Sequence, residues 1–203
     1  MSPSLPDLLA EAHRLETKDR AFFSGIPWTA KLMNDSSFTN LPKISRLPNP
    51  ETEEDSFLAE TVKTPGIISH LLAYYRNLPK PGASVTEARW LIALGTKLNG
   101  WPNVMHGGVQ SFLLDEIMAF MLGCSKRVPG ATPLALNTVT AELKVRYLRA
   151  LRTPGVLLVE ARLVKREGRK LWTEAEVKDE KGVVLASGEA LFISVQPGTG
   201  PKI

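Results

Sequence analysis

Cysteine occurs once in the 203 residues, at Cys124, which excludes an internal disulfide and any zinc site built from cysteines. That usage fits a reducing compartment. Histidine occurs three times, and no His or Cys pair stands at ligand spacing, so no metal and no other cofactor is expected. No apolar run is long enough to span a bilayer. Lys and Arg number 25 against 21 Asp and Glu, and they are dispersed rather than gathered in a block. The basic stripe of a nucleic-acid-binding protein is therefore missing. No Gly-x-Ser-x-Gly elbow occurs, which disfavours Ser111 as a hydrolase nucleophile. The N-terminal segment lacks the apolar centre of a signal peptide. Its Asp7, Glu11, Glu16 and Asp19 are at odds with a mitochondrial transit peptide. A cytoplasmic setting is the default expectation, with mitochondrial and peroxisomal ones left open. The closing Pro201-Lys202-Ile203 echoes a small-basic-aliphatic peroxisomal ending, although proline at its first place weakens the echo.

What the chain does have is concentrated between His106 and Ile117. Gly107 and Gly108 open an apolar segment in which Val109, Phe112, Leu113, Ile117, Phe120 and Met121 recur at helical spacing, with Leu114, Met118 and Leu122 on the flank. A helix apolar nearly all round is a buried helix. Asp115 and Glu116 stand in its middle. A carboxylate buried without a partner is costly, so such a group is either compensated or chemically employed. Glycines at a helix start let another group approach the backbone, where unused N–H groups can receive a developing negative charge. An anion-stabilising helix start and a buried acid on one segment point to acyl chemistry.

The texture of the chain divides near Lys80-Pro81-Gly82-Ala83-Ser84. Residues 1–84 read as an N-terminal helical and irregular extension. Leu8, Leu9, Ala12 and Leu15 predict a short amphipathic helix within 5–23, and Ile67, Ile68, Leu71, Leu72 and Tyr75 predict a second within 66–76. Between them, residues 24–64 are broken by Pro27, Pro42, Pro48 and Pro50. Their apolar Trp28, Leu32, Met33 and Phe38, with Phe22 and Phe23 before them, suit a partner surface or a cover for an acyl tunnel. Residues 85–203 read as a strand over 88–98, the buried helix, then four strands over 136–148, 156–165, 170–178 and 183–194. Pro154-Gly155, Glu167-Gly168 and Lys181-Gly182 mark the turns. The expected class is α+β, an antiparallel sheet wrapped around a central helix.

These residues resemble the hotdog-fold acyl-CoA thioesterases, in the PaaI and thioesterase-superfamily branch. The resemblance rests on His106-Gly107-Gly108 with Asp115 nine residues after His106, and on the strand Thr140-Ala141-Glu142-Leu143-Lys144-Val145-Arg146-Tyr147-Leu148-Arg149. Gly168-Arg169-Lys170 and Val184-Leu185-Ala186-Ser187-Gly188-Glu189-Ala190 add to it, so that it covers roughly residues 85–195. The extension looks like those of fungal relatives. The resemblance implies a hotdog fold and hydrolysis of an acyl thioester, linked either to coenzyme A or to a carrier protein. It implies Asp115 as general base or nucleophile, the Gly107 N–H as the group that polarises the carbonyl, and Thr140 as a residue that positions water. His106 and Gly108 would shape the substrate loop. Asn99 and Asn103 compete for the place of an asparagine that the family carries upstream, and Glu116 is the alternative carboxylate. Arg146, Arg149, Arg152, Arg166 and Lys170 are candidate contacts for coenzyme A phosphates.

Two further points bear on the expectation. Alternation puts Val139, Ala141, Leu143, Val145 and Tyr147 on the face toward the helix and Thr140 on the other, so Thr140 reaches Asp115 only through a bulge or a place at a subunit edge. Gly107 and Asp115 are eight residues apart, about 12 Å along a helix, too far to contact one carbonyl together. The oxyanion donor for a given thioester is then expected from a second subunit, which makes the protein a homodimer, with a dimer of dimers implied by the resemblance. A non-catalytic acyl-CoA or lipid-binding protein and a 3-hydroxyacyl thioester dehydratase are the alternatives.

Overall fold

A computed structural model of the chain describes residues 5–49 and 51–196. The Pro201-Lys202-Ile203 ending and the side chains of Leu8 and Leu9 lie outside what is described. Two helices come first, α1 (Leu5–Ser24) and α2 (Pro27–Met33), then the short strand β1 (Phe38–Asn40). A 3-10 turn (Ile44–Arg46) and a π-helical turn (Phe57–Thr61) lead to β2 (Ile68–Arg76) and β3 (Glu87–Leu94). After a 3-10 turn (Thr96–Leu98) come the small strands β4 (Asn99–Trp101) and β5 (Val104–Met105), and then α3 (Gly107–Cys124). Four long strands complete the fold: β6 (Asn137–Tyr147), β7 (Gly155–Glu167), β8 (Lys170–Lys178) and β9 (Val184–Val195).

Seven of the strands form one antiparallel sheet in the order β1-β2-β3-β7-β8-β9-β6, while β4 and β5 make a separate hairpin. Helix α3 lies across one face. Leu113, Leu114, Ile117, Met118 and Met121 are fully buried there against Trp90, Ile92, Val159, Leu171, Ala186 and Phe192. Burial of each such side chain stabilises by about 1.5–3 kcal/mol relative to exposure, so this contact anchors the helix that carries the polar residues. Gly188 on β9 leaves room for the helix: a Cβ there would stand 3.4 Å from the Leu114 side chain.

The opposite face is covered by the extension. Phe23 is fully buried, and Trp28, Leu32, Met33 and Phe38 pack with it against Leu72, Tyr74, Leu91, Ala93 and Leu158. Polar contacts fix this layer. Asp19 meets His70 Nδ1 at 2.8 Å and accepts the Leu71 N–H at 3.3 Å, and Arg89 pairs with Asp35 at 2.9 Å. Of the apolar side chains expected to face a partner or to cover a tunnel, Phe23, Trp28, Leu32, Met33 and Phe38 are thus used on the chain's own sheet, on the side away from α3, while Phe22 stays exposed and stacks on His70.

Segment 66–76 is the clearest correction: it is a strand, not a helix. Leu71 and Ala73 face α3 while Leu72 and Tyr74 face the extension. A strand buried on both faces loses its alternation and reads as a continuous apolar run that periodicity cannot separate from a helix. β3 shows the same pattern, with Trp90 and Ile92 on one face and Leu91 and Ala93 on the other; it stops at Leu94, short of the expected 98. The Lys80–Ser84 stretch lies between these two paired strands, so the sheet runs across the expected boundary at 84/85.

Gly95 marks a close backbone approach at the exit of β3. Its N–H donates to the Ile67 carbonyl at 2.7 Å, and a Cβ would stand 2.3 Å from the Gly66 carbonyl group. Backbone cannot yield as a side-chain tip can. Gly95→Ala is expected to lower unfolding stability by about 1–3 kcal/mol in urea titration. A variant as stable as the parent would show that the two backbones can separate freely.

Candidate active site

The start of α3 is shaped by His106. With φ −60° and ψ 136° it is the extended residue that caps the helix, and its Nδ1 accepts the Gly108 N–H at 2.9 Å. A ring nitrogen used in this way orients the loop. The Val109 N–H goes to the His106 carbonyl at 3.0 Å. Among the described residues the Gly107 N–H has no acceptor, leaving it as the donor available to an incoming oxygen. The first turn is pinned from the sheet side: the Ser111 and Tyr147 hydroxyls lie 2.8 Å apart and each reaches the Gly107 carbonyl at 3.2 Å. A Cβ on Gly107 would stand 3.2 Å from the Tyr147 ring, so the glycine permits this close seat.

Two turns further on, Asp115 is half-buried. Thr140 Oγ1 donates to its Oδ1 at 2.9 Å. The contact exists because β6 bulges: Thr140 pairs with Phe192, the next pair is Glu142 with Leu191, and Ala141 is left between them. An extra residue shifts the alternation by one. Thr140 opposes the buried Phe192 and Leu143 opposes the buried Ala190, so both face α3, while Val139 and Ala141 turn away. The sequence pattern of β6 is thus the sum of two alternations joined out of phase. Burial pushes the Asp115 carboxyl above its ordinary value; the Thr140 hydrogen bond pulls it down, and the neighbouring Glu116 pushes it up.

The two carboxylates have different surroundings. Glu116 Oε2 pairs with Lys43 Nζ at 3.4 Å, whereas Asp115 has a neutral hydroxyl as its partner. Asn99 Oδ1 accepts the Thr153 hydroxyl, and the Asn103 carbonyl accepts the Thr153 N–H at 3.2 Å. Both asparagines therefore hold the β4–β5 hairpin to the segment before β7. Asn103 sits at φ 57°, a left-handed conformation that asparagine tolerates at a hairpin tip. Neither is brought to Asp115. Of the cationic candidates, Arg146 pairs with Glu189 at 3.5 Å and Arg149 donates to the Val184 carbonyl at 3.0 Å. Lys43, Ser111 and Tyr147 are site neighbours that the sequence did not single out. Tyr147 stands on the predicted inward face of β6, a usable signal, but nothing local ties Lys43 to Glu116, 73 residues away.

The thioesterase superfamily profile matches residues 102–186, from the β4–β5 hairpin into β9. Verlamelin biosynthesis protein B of Lecanicillium sp is 22% identical over 89% of this chain and 90% of its own length. Acyl-coenzyme A thioesterase THEM4 of Rattus norvegicus is 31% identical over 51% of this chain, and the chain spans only 41% of that protein. Among solved structures, smu.793 from Streptococcus mutans bound to acetyl CoA has a TM-score of 0.48 at 15% identity, covering 56% of this chain and 84% of its own. No described helix is long and apolar enough to cross a membrane. Over residues 102–186 the chain is similar to the thioesterase superfamily, and its antiparallel sheet around a buried helix is the hotdog fold.

Proposed function

We propose that this protein hydrolyses acyl thioesters, carried on coenzyme A or on a carrier protein, in a site assembled by two copies of the chain. The observation that carries the reading is Asp115: a carboxylate inside an apolar helix, held by a single neutral hydroxyl. A carboxylate raised by burial is a better proton acceptor than an exposed one. In one route it takes the proton of a water held by Thr140, and the water oxygen attacks the thioester carbon. In the other Asp115 attacks first and water resolves the mixed anhydride. In both, the Gly107 N–H stabilises the oxyanion, and the C–S bond breaks to release a thiol and a carboxylic acid. The coenzyme A ligands and acyl-coenzyme A activities in the names of related proteins support the thioester as substrate.

The spacing supports a homodimer, since Gly107 and Asp115 of one helix stand about 12 Å apart. The Gly107 of one copy would then serve the Asp115 of the other. The open edge of β6 supports this reading, together with the exposed Leu136, Tyr147 and Leu148 along it and Trp101 on the adjoining hairpin. An unpaired strand edge flanked by apolar side chains is a natural place for a second chain.

Asp115→Asn is expected to fold and to lose roughly 10²–10⁴ in turnover in a thiol-release assay over a range of acyl chain lengths. Near-parental hydrolysis would remove Asp115 from the chemistry. The same variant should melt higher than the parent at neutral pH. A carboxyl raised in the folded state contributes stability below its unfolded pKa and loses it as pH rises through the folded one, so the difference in Tm should shrink on acidification.

Thr140→Val removes the hydrogen bond that lowers the Asp115 carboxyl, so the acid limb of kcat/KM against pH should move to higher pH. An unmoved limb would mean that another group sets it.

Shared sites have their own signature. Gly107→Pro deletes the N–H at a helix position whose backbone tolerates proline and follows a residue already extended, with Gly107→Ala as the control for the Cβ that meets the Tyr147 ring at 3.2 Å. Mixed dimers of Gly107→Pro with Asp115→Asn should recover one working site, and therefore activity that neither variant has alone. No recovery in verified mixed dimers would place both groups in one subunit's site.

A further inference from the structure

The extension delivers a buried ammonium to the α3 side of the sheet. Lys43 follows β1, and its segment is held there by the Leu41 N–H on the Ala73 carbonyl at 2.9 Å and by Arg127, which donates to the Pro42 carbonyl. The Lys43 side chain is only 6% exposed. Its Nζ lies 4.2 Å from the centre of the Trp90 ring and 5.2 Å from that of Phe120, and among the described residues Glu116 is its only carboxylate within salt-bridge distance, at 3.4 Å. An ammonium has three donors, and one long contact to Glu116 does not use them. Lys43 and Glu116 both line a cavity of about 540 Å³, together with Ala119, Gly123, Asn137 and Thr138 among others.

This cavity runs along α3 from Glu116, the residue after Asp115. Ala119 and Gly123 stand four and eight residues beyond Asp115 on the same face of α3, and their small side chains leave a groove along the helix. Thr138 precedes Thr140 by two on β6, before the bulge, and so faces the same way. A thioester with its carbonyl at Asp115 would run its acyl chain into this space. Residues 116–120 lie about 1.5–7.5 Å further along the helix axis, beside the first several carbons of such a chain. The wall there pairs a donor, Lys43, with an acceptor, Glu116. Its charges balance, with Lys43, Lys126 and Arg127 against Glu54, Asp55 and Glu116. A neutral group that both accepts and donates fits that wall; a plain methylene chain would strip water from the pair and replace nothing, and a carboxylate would upset the balance.

We propose that Lys43 and Glu116 form a specificity subsite that selects thioesters whose acyl chain carries a hydroxyl within a few carbons of the carbonyl. The proposal rests on reading Asp115 as the place of the thioester carbonyl, and it assigns part of the N-terminal extension a role in substrate choice. The hydroxyl oxygen accepts from the Lys43 ammonium while its hydrogen donates to Glu116.

A panel of coenzyme A thioesters of one chain length tests this: unsubstituted, monohydroxylated at successive carbons, and terminally carboxylated. In the unaltered protein one hydroxyl position should raise kcat/KM roughly 10- to 100-fold over the unsubstituted chain, the range for a hydrogen bond to a charged group. In Lys43→Met that ratio should collapse toward one. Equal rates across the hydroxyl positions, preference for the carboxylated chain, or a ratio kept by Lys43→Met would overturn the proposal. Calorimetric binding of the same panel to Asp115→Asn separates this subsite from the hydrolysis reading. Preferential binding of one hydroxylated thioester keeps the subsite even where the unaltered protein cleaves none, and equal binding of all removes it even where hydrolysis is fast.

Discussion

The burial of α3 against the sheet is the constraint on which the rest of the structure depends. Leu113, Leu114, Ile117, Met118 and Met121 have no exposure at all, so the helix cannot rotate or slide without stripping its main apolar contact. Every polar residue on it must therefore be accommodated where the apolar packing leaves it. Asp115 is met by the Thr140 hydroxyl, Glu116 by Lys43, and the helix start by His106, Ser111 and Tyr147. None of these partners carries α3; each answers a position that packing has already decided. The result is a carboxyl raised by its surroundings and an N–H left without an acceptor, two groups that a bare helix in water would not supply.

The sheet solves a second packing problem with the same residues. β2 and β3 are covered by α3 on one side and by α1, α2 and Phe38 on the other. What reads as an appendage to the domain is one of its layers. That has a consequence for the site, because β1 and the chain after it are tied to β2, and from there Lys43 crosses to Trp90, Phe120 and Glu116. The extension thus works in two places. Its aromatic part closes the back of the sheet, and its later part supplies a cation beside the acidic pair on α3. Phe57 does similar work further up the helix, edge-on to Phe112 with a ring separation of 5.0 Å.

The bulge at Ala141 shows how little separates a silent strand from a functional one. Without the extra residue, Thr140 would point away from α3 and Asp115 would keep its burial but lose its hydrogen bond. That hydrogen bond draws the Asp115 carboxyl down against the upward push of burial. One inserted residue therefore sets the side-chain alternation of β6 and turns the Thr140 hydroxyl toward Asp115, where it lowers a carboxyl that burial raises. The same strand leaves its outer edge open beside Gly107, so the surface proposed for a second copy and the donor proposed for that copy's substrate lie together.

Much of this was legible from residue order. The apolar period of 107–124 gave the buried helix, the turn glycines and prolines gave the last four strands within a few residues, and His106-Gly107-Gly108 with Asp115 pointed to the site, because local spacing encodes local structure. Three things were decided only by the tertiary fold, each for a physical reason. Segment 66–76 became a strand because two layers bury it, and burial on both faces erases the period that distinguishes the elements. Asn99 and Asn103 went to Thr153 and not to Asp115, because the direction of a hairpin depends on what it packs against. Lys43 met Glu116 across 73 residues, a contact made by chain crossing and invisible to any local pattern. Local chemistry marked the acid and the helix start. Only three-dimensional packing chose the residues that surround them.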